Sequence, residues 1–321
     1  MSLLPTEQRK ALLDALAELL PRRSVRTDVP MRERTTLQIG GPADVLAEPQ
    51  SPRQAMDAWR EARRLGVPVT LIGNGSNLLV RDGGVRGLVL CIGEGMGEVF
   101  PPVKLADGAF EMTAQAGATL TKLANAAADA GLSGIEFLAG IPGTVGGGVT
   151  MNAGAYGGEL KDVIRSVCLG GEDGELRTVP AAELGFAYRH SVVQEQPLLV
   201  VAATVRLTPC DSETVRTAMR EFNARRRDRQ PLNTPSCGST FKRPTGFFAG
   251  ALIDECELRG CRIGGASVSE KHAGFLVNDE GATAAEYLAL IAHVQRTVYE
   301  KTGVRLEPEV RVIGEDAPAR A

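Results

Sequence analysis

Over residues 1–20, leucines and alanines recur at helical spacing with Glu7, Arg9, Lys10, Asp14 and Glu18 set among them. The chain therefore opens on a short amphipathic helix, not on the unbroken apolar core of a signal peptide. The basic stretch Arg22 to Arg34 shows no periodicity and reads as irregular, and Gly40, Gly41 and Pro42 turn the chain into a strand near Asp44 to Ala47. Ser51 and Pro52 read as N-cap and first helical residue; Ala55, Met56, Trp59, Ala62 and Leu65 share a side, and Gly66 stops the helix. The run V-P-V-T-L-I predicts a buried strand that completes a β-α-β unit, and Leu78 to Val80 predict another. F-E-M-T-A-Q alternates as a strand, and Thr119 caps an alanine-rich helix ending at Gly131. Strands follow over 162–170 and 175–180, joined by a turn at Gly170 to Gly174, and then a buried strand from Pro197 to Leu207. Ser212 to Arg226 patterns as a helix with Val215, Met219 and Phe222 inward, and Pro231 beyond it marks a boundary. The last part predicts a short helix over Ala249 to Leu258 and strand pieces at Cys261 to Ile263 and Phe275 to Val277. Thr283 and Glu286 form a capping box for a long helix ending near Gly303, the strand V-R-L-E-P-E-V-R-V-I follows, and the tail from Glu315 is expected to be loose.

One stretch breaks this pattern. Gly131 to Gly158 holds ten of the 37 glycines and almost no periodic apolar face. Glycine costs conformational entropy and is favoured where backbone takes positive φ or touches a ligand, so the segment reads as a cradle of N–H groups for an extended anion such as a dinucleotide pyrophosphate. A glycine-rich turn cluster between buried strands is the alternative. G-N-G-S-N-L, from Gly73, lacks the glycine at the sixth position and the following helix of a dinucleotide fingerprint, so a Rossmann site is rejected. That loop still offers amides around Gly75 and Ser76 to a phosphate, or is an ordinary tight turn.

The chain is long enough, at 321 residues, for two or three domains, and 43% apolar with 23% charged residues is the composition of a folded protein. A net charge of −3 gives no electrostatic case for nucleic acid or an anionic membrane. No apolar run is long enough to span a bilayer. The six cysteines are scattered without C-x-x-C spacing, and the reading is free thiols in a reducing cytosol. His190, His272 and His293 lack metal-ligand spacing, so no metal is expected.

I-G-N-G-S-N-L-L-V, G-I-P-G-T-V-G-G-G-V-T-M-N-A-G-A-Y-G, Y-R-H-S, P-S-C-G-S-T-F-K-R-P, G-G-A-S-V-S-E-K-H-A-G-F-L-V-N and L-E-P-E-V-R-V-I-G occur in that order. Together, from Arg34 to Gly314, they resemble the UDP-N-acetylenolpyruvoylglucosamine reductases, flavoenzymes of bacterial peptidoglycan precursor synthesis. The resemblance implies an α+β architecture: an FAD-binding fold of the vanillyl-alcohol-oxidase (PCMH) type in two subdomains, plus a C-terminal α+β substrate domain. The implied bounds are 1–90 (rejoined by 307–321), 91–216 and 217–306. FAD would meet Gly73, Asn74, Gly75, Ser76, Asn77 and Leu78 on one side and Gly140, Ile141, Pro142, Gly143, Gly146, Gly147, Asn152 and Gly154 on the other.

The implied reaction moves hydride from NADPH, as co-substrate, to flavin, and then to the enolpyruvyl ether of a UDP-sugar. Negative charge grows at the α carbon and its carboxylate, which calls for a fixed cation and a proton donor. The resemblance assigns Arg189, Ser239 as proton donor, and Glu309; from the residues alone, Ser236 and Glu307 fit equally well. The UDP diphosphate calls for Arg226 or Arg229 with Lys242, and Tyr188, Lys271, His272 and Asn278 are further pocket candidates. After Ser191 the next strand follows in about six residues, as in the shorter subclass that lacks a substrate-clamping tyrosine loop. A cytoplasmic monomer without nucleic-acid or membrane partners is expected. Two rival readings fit the same residues: an FAD-linked oxidase of the same fold, and a non-catalytic UDP-sugar or nucleotide binder.

Overall fold

Helices begin where a side-chain oxygen meets the unpaired amides of a first turn. In the computed structural model, which describes residues 4–171 and 174–317, α1 spans Thr6–Leu19 and α2 Pro52–Arg64, where Ser51 accepts from Gln54 N. Thr119 caps α3 (Leu120–Asp129) and Thr144 caps α4 (Val145–Met151) in the same way. Asp211 caps α5 (Ser212–Arg229), α6 spans Ala249–Glu255, and the reciprocal Thr283/Glu286 box opens α7 (Ala284–Thr302), which Gly303 closes in the left-handed region. None of these helices is long and apolar enough to cross a membrane.

The first sheet orders Val25–Pro30, Pro42–Ala47, Val85–Cys91 and Val69–Ile72, antiparallel at the first pairing and parallel at the others. A second, antiparallel sheet orders Leu176–Pro180, Ile164–Gly170, Leu199–Pro209, Phe110–Gln115 and Val103–Lys104. A third, Arg262–Ile263, Ala266–Val268 and Leu276–Asn278, lies against α7. Arg311–Ile313 pairs in parallel with Leu78–Val80, which returns the end of the chain to the loop at Gly73.

The two-residue period of the strands divides the core. On Val85–Cys91, Leu88 and Leu90 point into a core shared with α1, α2, α3 and the second sheet, while Val89 and Cys91 face Val29, Leu46 and Val80. Leu37, Ile39 and Leu79 leave that neighbourhood for the C-terminal core of Phe241, Leu252, Tyr287 and Val294. Each such side chain, fully buried, contributes about 1.5–3 kcal/mol, so the C-terminal part is anchored to the first 80 residues by packing as well as by chain connection.

Several expectations need correction. The stretch read as irregular contains the strand Val25–Pro30, an edge strand that buries Val29 and leaves 26–28 exposed, so it carries no alternating signal. Ala266–Val268 is buried on both faces and equally silent. The helix after Cys210 is capped by Asp211 and runs on to Arg229. In the closing segment only Arg311–Ile313 forms a ladder: Val310 is buried while Val312 is exposed, so they do not share a face as a continuous strand would require. Glu315 is not loose, since it exchanges main-chain hydrogen bonds with Gly83 and Gly84. The last four residues, and the middle of the turn expected at Gly170 to Gly174, lie outside the described residues.

The long glycine stretch also contains a helix, α4. A Cβ on Gly148 would stand 2.9 Å from Leu160 Cδ1 and 3.0 Å from Leu120 Cδ2. The absence of side chains lets α4 lie against these leucines and the strand Leu199–Pro209. That contact and the Thr144 cap offset a glycine propensity cost of about 1 kcal/mol per residue.

Candidate active site

Two bends meet at the end of the first sheet. The first, residues 73–77, joins Val69–Ile72 to Leu78–Val80; the second, residues 140–144, leads into α4. They touch: a Cβ on Gly73 would meet Thr144 Oγ1 at 2.4 Å, and one on Gly143 would lie 3.5 Å from Ser76 Oγ. Their amides differ in state. Among the described residues no acceptor of the chain receives the N–H groups of Asn74, Gly75, Ser76 and Asn77. In the second bend Gly140 N donates to Thr121 Oγ1 (3.2 Å), Gly147 N to Thr144 Oγ1 (3.3 Å), and Ile141, Gly143 and Gly146 to main-chain carbonyls. The cradle of free amides is thus the short bend, while the longer stretch presents a wall without side chains, from which Pro142 and Gly147 are exposed. Four unpaired amides on a bend that touches such a wall fit the diphosphate of FAD.

Gly75 makes the first bend possible. Its φ is +62°, and a Cβ there would stand 2.1 Å from Arg34 O, while its own carbonyl accepts from Thr36 N (3.3 Å). Gly75→Ala is expected to cost about 1–3 kcal/mol locally, from strain alone, and to release flavin. Flavin absorbance retained after gel filtration measures this; full retention would contradict it.

Opposite the bends, Tyr188 and Arg189 form the tip of a turn closed by Ala187 N to His190 O and His190 N to Ala187 O, both 3.1 Å. Arg189 has φ +55°, an uncommon state for a non-glycine residue that costs on the order of 1–3 kcal/mol and gathers at functional sites. Its guanidinium donates to Glu309 Oε1 (Nε, 2.6 Å), Gly154 O (Nη2, 3.2 Å) and Asn152 O (Nη1, 3.5 Å). Asn152, expected at the cofactor, is fully buried in the left-handed region at the end of α4. Its side chain donates to Ala187 O (2.9 Å) and Glu159 Oε2 (3.1 Å) and accepts from Lys161 N (3.0 Å). Asn152 and Gly154 therefore hold Arg189 and its turn.

Glu309 is where the parts join. Its N–H donates to Thr240 O (2.8 Å), beside Ser239, and its carbonyl accepts from Asn77 Nδ2 (3.1 Å), on the first bend. Sequence periodicity did not separate the two glutamates, but burial does: the side chain of Glu309 is 15% exposed and bound to Arg189, while that of Glu307 is 69% exposed and bound to Lys242. Burial is the largest influence on the Glu309 carboxyl and raises its pKa, against the lowering by Arg189 and Lys242. The folded state thus holds this proton more tightly than the unfolded chain. Its stabilising effect is complete below the unfolded pKa and lost as pH rises through the raised folded one. Glu309→Gln fixes the neutral form. As pH rises from the unfolded carboxylate value of about 4 through the raised folded one, its unfolding free energy relative to the parent should rise, read by denaturant titration; a fall would reverse the assignment.

Ser239 Oγ donates to Phe241 O (3.2 Å). Tyr287, fully buried on α7, brackets this turn through Cys237 Sγ and Thr240 Oγ1, each 3.3 Å away, and donates to Leu276 O (3.1 Å). No sequence signal pointed to Tyr287, whose helix pattern predicts only an inward position. Tyr188 Oη accepts from Arg243 N (3.2 Å). Arg226 is buried with its Nε unpartnered, its guanidinium 5.3 Å from the Tyr156 ring and its Cδ 3.1 Å from where a Cβ of Gly140 would be. It therefore faces the second bend, and among the described residues no hydrogen bond joins it to Lys242. Arg229 is exposed, Lys271 Nζ donates to Arg227 O, and His272 is half-buried, its pKa lowered by burial first and by the charges of Arg259 and Arg229 after. Asn278 is spent within the framework: it donates to Leu37 O (3.1 Å) and Gln38 O (3.3 Å) and accepts from Ala282 N (2.7 Å).

Two family models match the chain: an FAD binding domain over residues 43–179 and the C-terminal domain of UDP-N-acetylenolpyruvoylglucosamine reductase over 230–313. A UDP-N-acetylenolpyruvoylglucosamine reductase from Agathobacter rectalis is 49% identical over 312 residues, covering 95% of this chain and 99% of that protein. The crystal structure of the Thermus caldophilus UDP-N-acetylenolpyruvylglucosamine reductase superposes with a TM-score of 0.75 at 36% identity, over 90% of this chain and 99% of that one. The 4-ethylphenol oxidase of Gulosibacter chungangensis, 17% identical with a TM-score of 0.51 over 65% of this chain and 45% of that one, shares the fold alone.

Proposed function

The chain belongs to the family of UDP-N-acetylenolpyruvoylglucosamine reductases, and from that premise we propose how its residues divide the work. The protein is an FAD-dependent oxidoreductase of the PCMH-type fold that reduces the enolpyruvyl ether of UDP-N-acetylglucosamine in peptidoglycan precursor synthesis. Asn74, Gly75, Ser76 and Asn77 would hold the FAD diphosphate through their free amides, against the wall of Gly140, Gly143 and Gly147. Bound there, FAD supplies a hydride carrier between NADPH and the enolpyruvyl group.

Arg189 receives the substrate carboxylate. Its planar fork is permanently charged, and Glu309, Asn152 and Gly154 fix it in place before substrate arrives, so little reorganisation is needed as charge grows at the α carbon. Ser239 gives the proton to that carbon. Its hydroxyl turns from Phe241 O to the substrate, and the charge accumulating there draws the proton from a weak acid. Lys242 near Glu309, and Arg229 with Lys271, are the cationic surface for the diphosphate, and His272 beside Arg229, its pKa lowered, offers a neutral ring. Arg226 faces the cofactor side. We place this chemistry in the cytoplasm, consistent with free thiols at all six cysteines.

The observation that carries this reading is the position of Glu309. Its peptide is held between Asn77 of the amide bend and Thr240 beside Ser239, and its carboxylate is on Arg189. The test is anaerobic mixing of the flavin-loaded protein with NADPH and then with the UDP-sugar. Flavin absorbance should bleach and then recover with one enolpyruvyl group consumed per flavin. Recovery only on admitting air would favour an oxidase, and absence of bound flavin a simple binding protein.

A further inference from the structure

The left-handed state of Arg189 needs a restraint that its own turn does not provide. The turn runs from Ala187 to His190, and Arg189 holds its second central position, where positive φ normally selects glycine or asparagine. Arginine has no intrinsic preference for this state, so contacts outside the turn must hold it. Asn152 secures one end by donating to Ala187 O. The other end is secured by Gln194, in the short 3-10 segment Val192–Gln194: its Nε2 donates to Arg189 O (3.0 Å) and to Thr150 O (2.8 Å), on the last turn of α4.

We propose that Gln194 is a positioning residue for the reduction: by tying the Arg189 carbonyl to α4 it keeps Arg189 at positive φ, with its guanidinium on Glu309, Asn152 O and Gly154 O. This rests on the role given to Arg189 above. Gln194 Nε2 also lies 3.7 Å from Met151 Sδ, and among the described residues no hydrogen bond joins it to the amide bend, Ser239 or Glu309, so its link to the site runs through Arg189 and α4. When its two donors are removed, the turn relaxes to negative φ and the guanidinium leaves the carbonyls that aim it.

Gln194→Met keeps the length of the side chain and removes both N–H groups. In the flavin-loaded full chain, oxidation of the reduced enzyme by the UDP-sugar should slow by about 10–100-fold, the scale of a misaimed group, while flavin content and reduction by NADPH are unchanged. In an Arg189→Ala background the same substitution should add no further loss, because both changes remove one arrangement. A crystal structure of Gln194→Met should show Arg189 at negative φ. An undiminished loss in the Arg189→Ala background, equal slowing of both half-reactions, or Arg189 still at positive φ on Glu309 would overturn the proposal. If Arg189→Ala alone leaves the substrate step intact, the role given to Arg189 falls first, and that result is separate. Should Gln194→Met fail to retain flavin, Gln194→Glu, which puts an acceptor against two carbonyls, carries the same comparisons.

Discussion

Alanine in place of Ser239 is expected to slow oxidation of the reduced enzyme by the UDP-sugar by about 10²–10⁴-fold, the usual contribution of one positioned acid, with reduction by NADPH unchanged. The asymmetry follows from the geometry. The hydroxyl lies on a turn fixed on both sides, by Tyr287 at Cys237 and Thr240 and by Glu309 N at Thr240 O. Its only protein hydrogen bond among the described residues is to Phe241 O. Losing that bond costs about 0.5–1.5 kcal/mol, so the alanine protein should fold and bind flavin. What it lacks is a proton at the α carbon. Anaerobic stopped-flow separates the two half-reactions: equal slowing of both, or of neither, would remove Ser239 from the proton-delivery role. Ser236→Ala is the control, since that residue enters the framework through its carbonyl, which accepts from Thr36 Oγ1 (2.7 Å).

Features with a local chemical cause were legible in the sequence. Ser51, Thr119 and the Thr283/Glu286 pair cap the helices their spacing announced, because capping needs only an oxygen a few residues from an unpaired amide. Elements defined by their neighbours were not legible. The edge strand Val25–Pro30 and the doubly buried Ala266–Val268 show no alternation, and α4 hides in a run of glycines, of which Gly148 packs closely against Leu120 and Leu160 and Gly146 against Ala116. At the site, the pattern pointed to both bends as cradles of N–H groups and did not tell which amides are free. Which amides are spent on the chain's own carbonyls is a tertiary fact, as are the bonds that Asn152, expected at the cofactor, makes to the turn of Arg189. The resemblance chose Glu309 over Glu307, and what sets the two apart in the structure, burial against Arg189 and exposure beside Lys242, is likewise tertiary, arising where Pro308 bridges Phe241.

Arg189→Ala should have two consequences that share one cause. Loss of the prealigned cation at the substrate carboxylate is expected to slow the substrate step by about 10²–10³-fold, the effect of deleting one preorganised donor from a site where charge develops. The second consequence concerns protons. Burial raises the pKa of Glu309, and the charge and hydrogen bond of Arg189 are the foremost influences opposing it, ahead of the more distant Lys242. Without Arg189 the carboxyl must move further up, because a buried carboxylate whose partner is gone is the costlier form. The limb of the pH profile that reports this ionisation, measured on the substrate half-reaction, should therefore shift alkaline in Arg189→Ala and stay near its parent position in Arg189→Lys, which keeps the charge but not the fork. The lysine protein should still lose rate, since an ammonium cannot bind Glu309 and the Asn152 and Gly154 carbonyls with the same planar geometry. An Arg189→Ala limb that moves acid, or does not move, would mean that the ionisation belongs to another group and that the Arg189–Glu309 pair does not set the protonation state in which the site works.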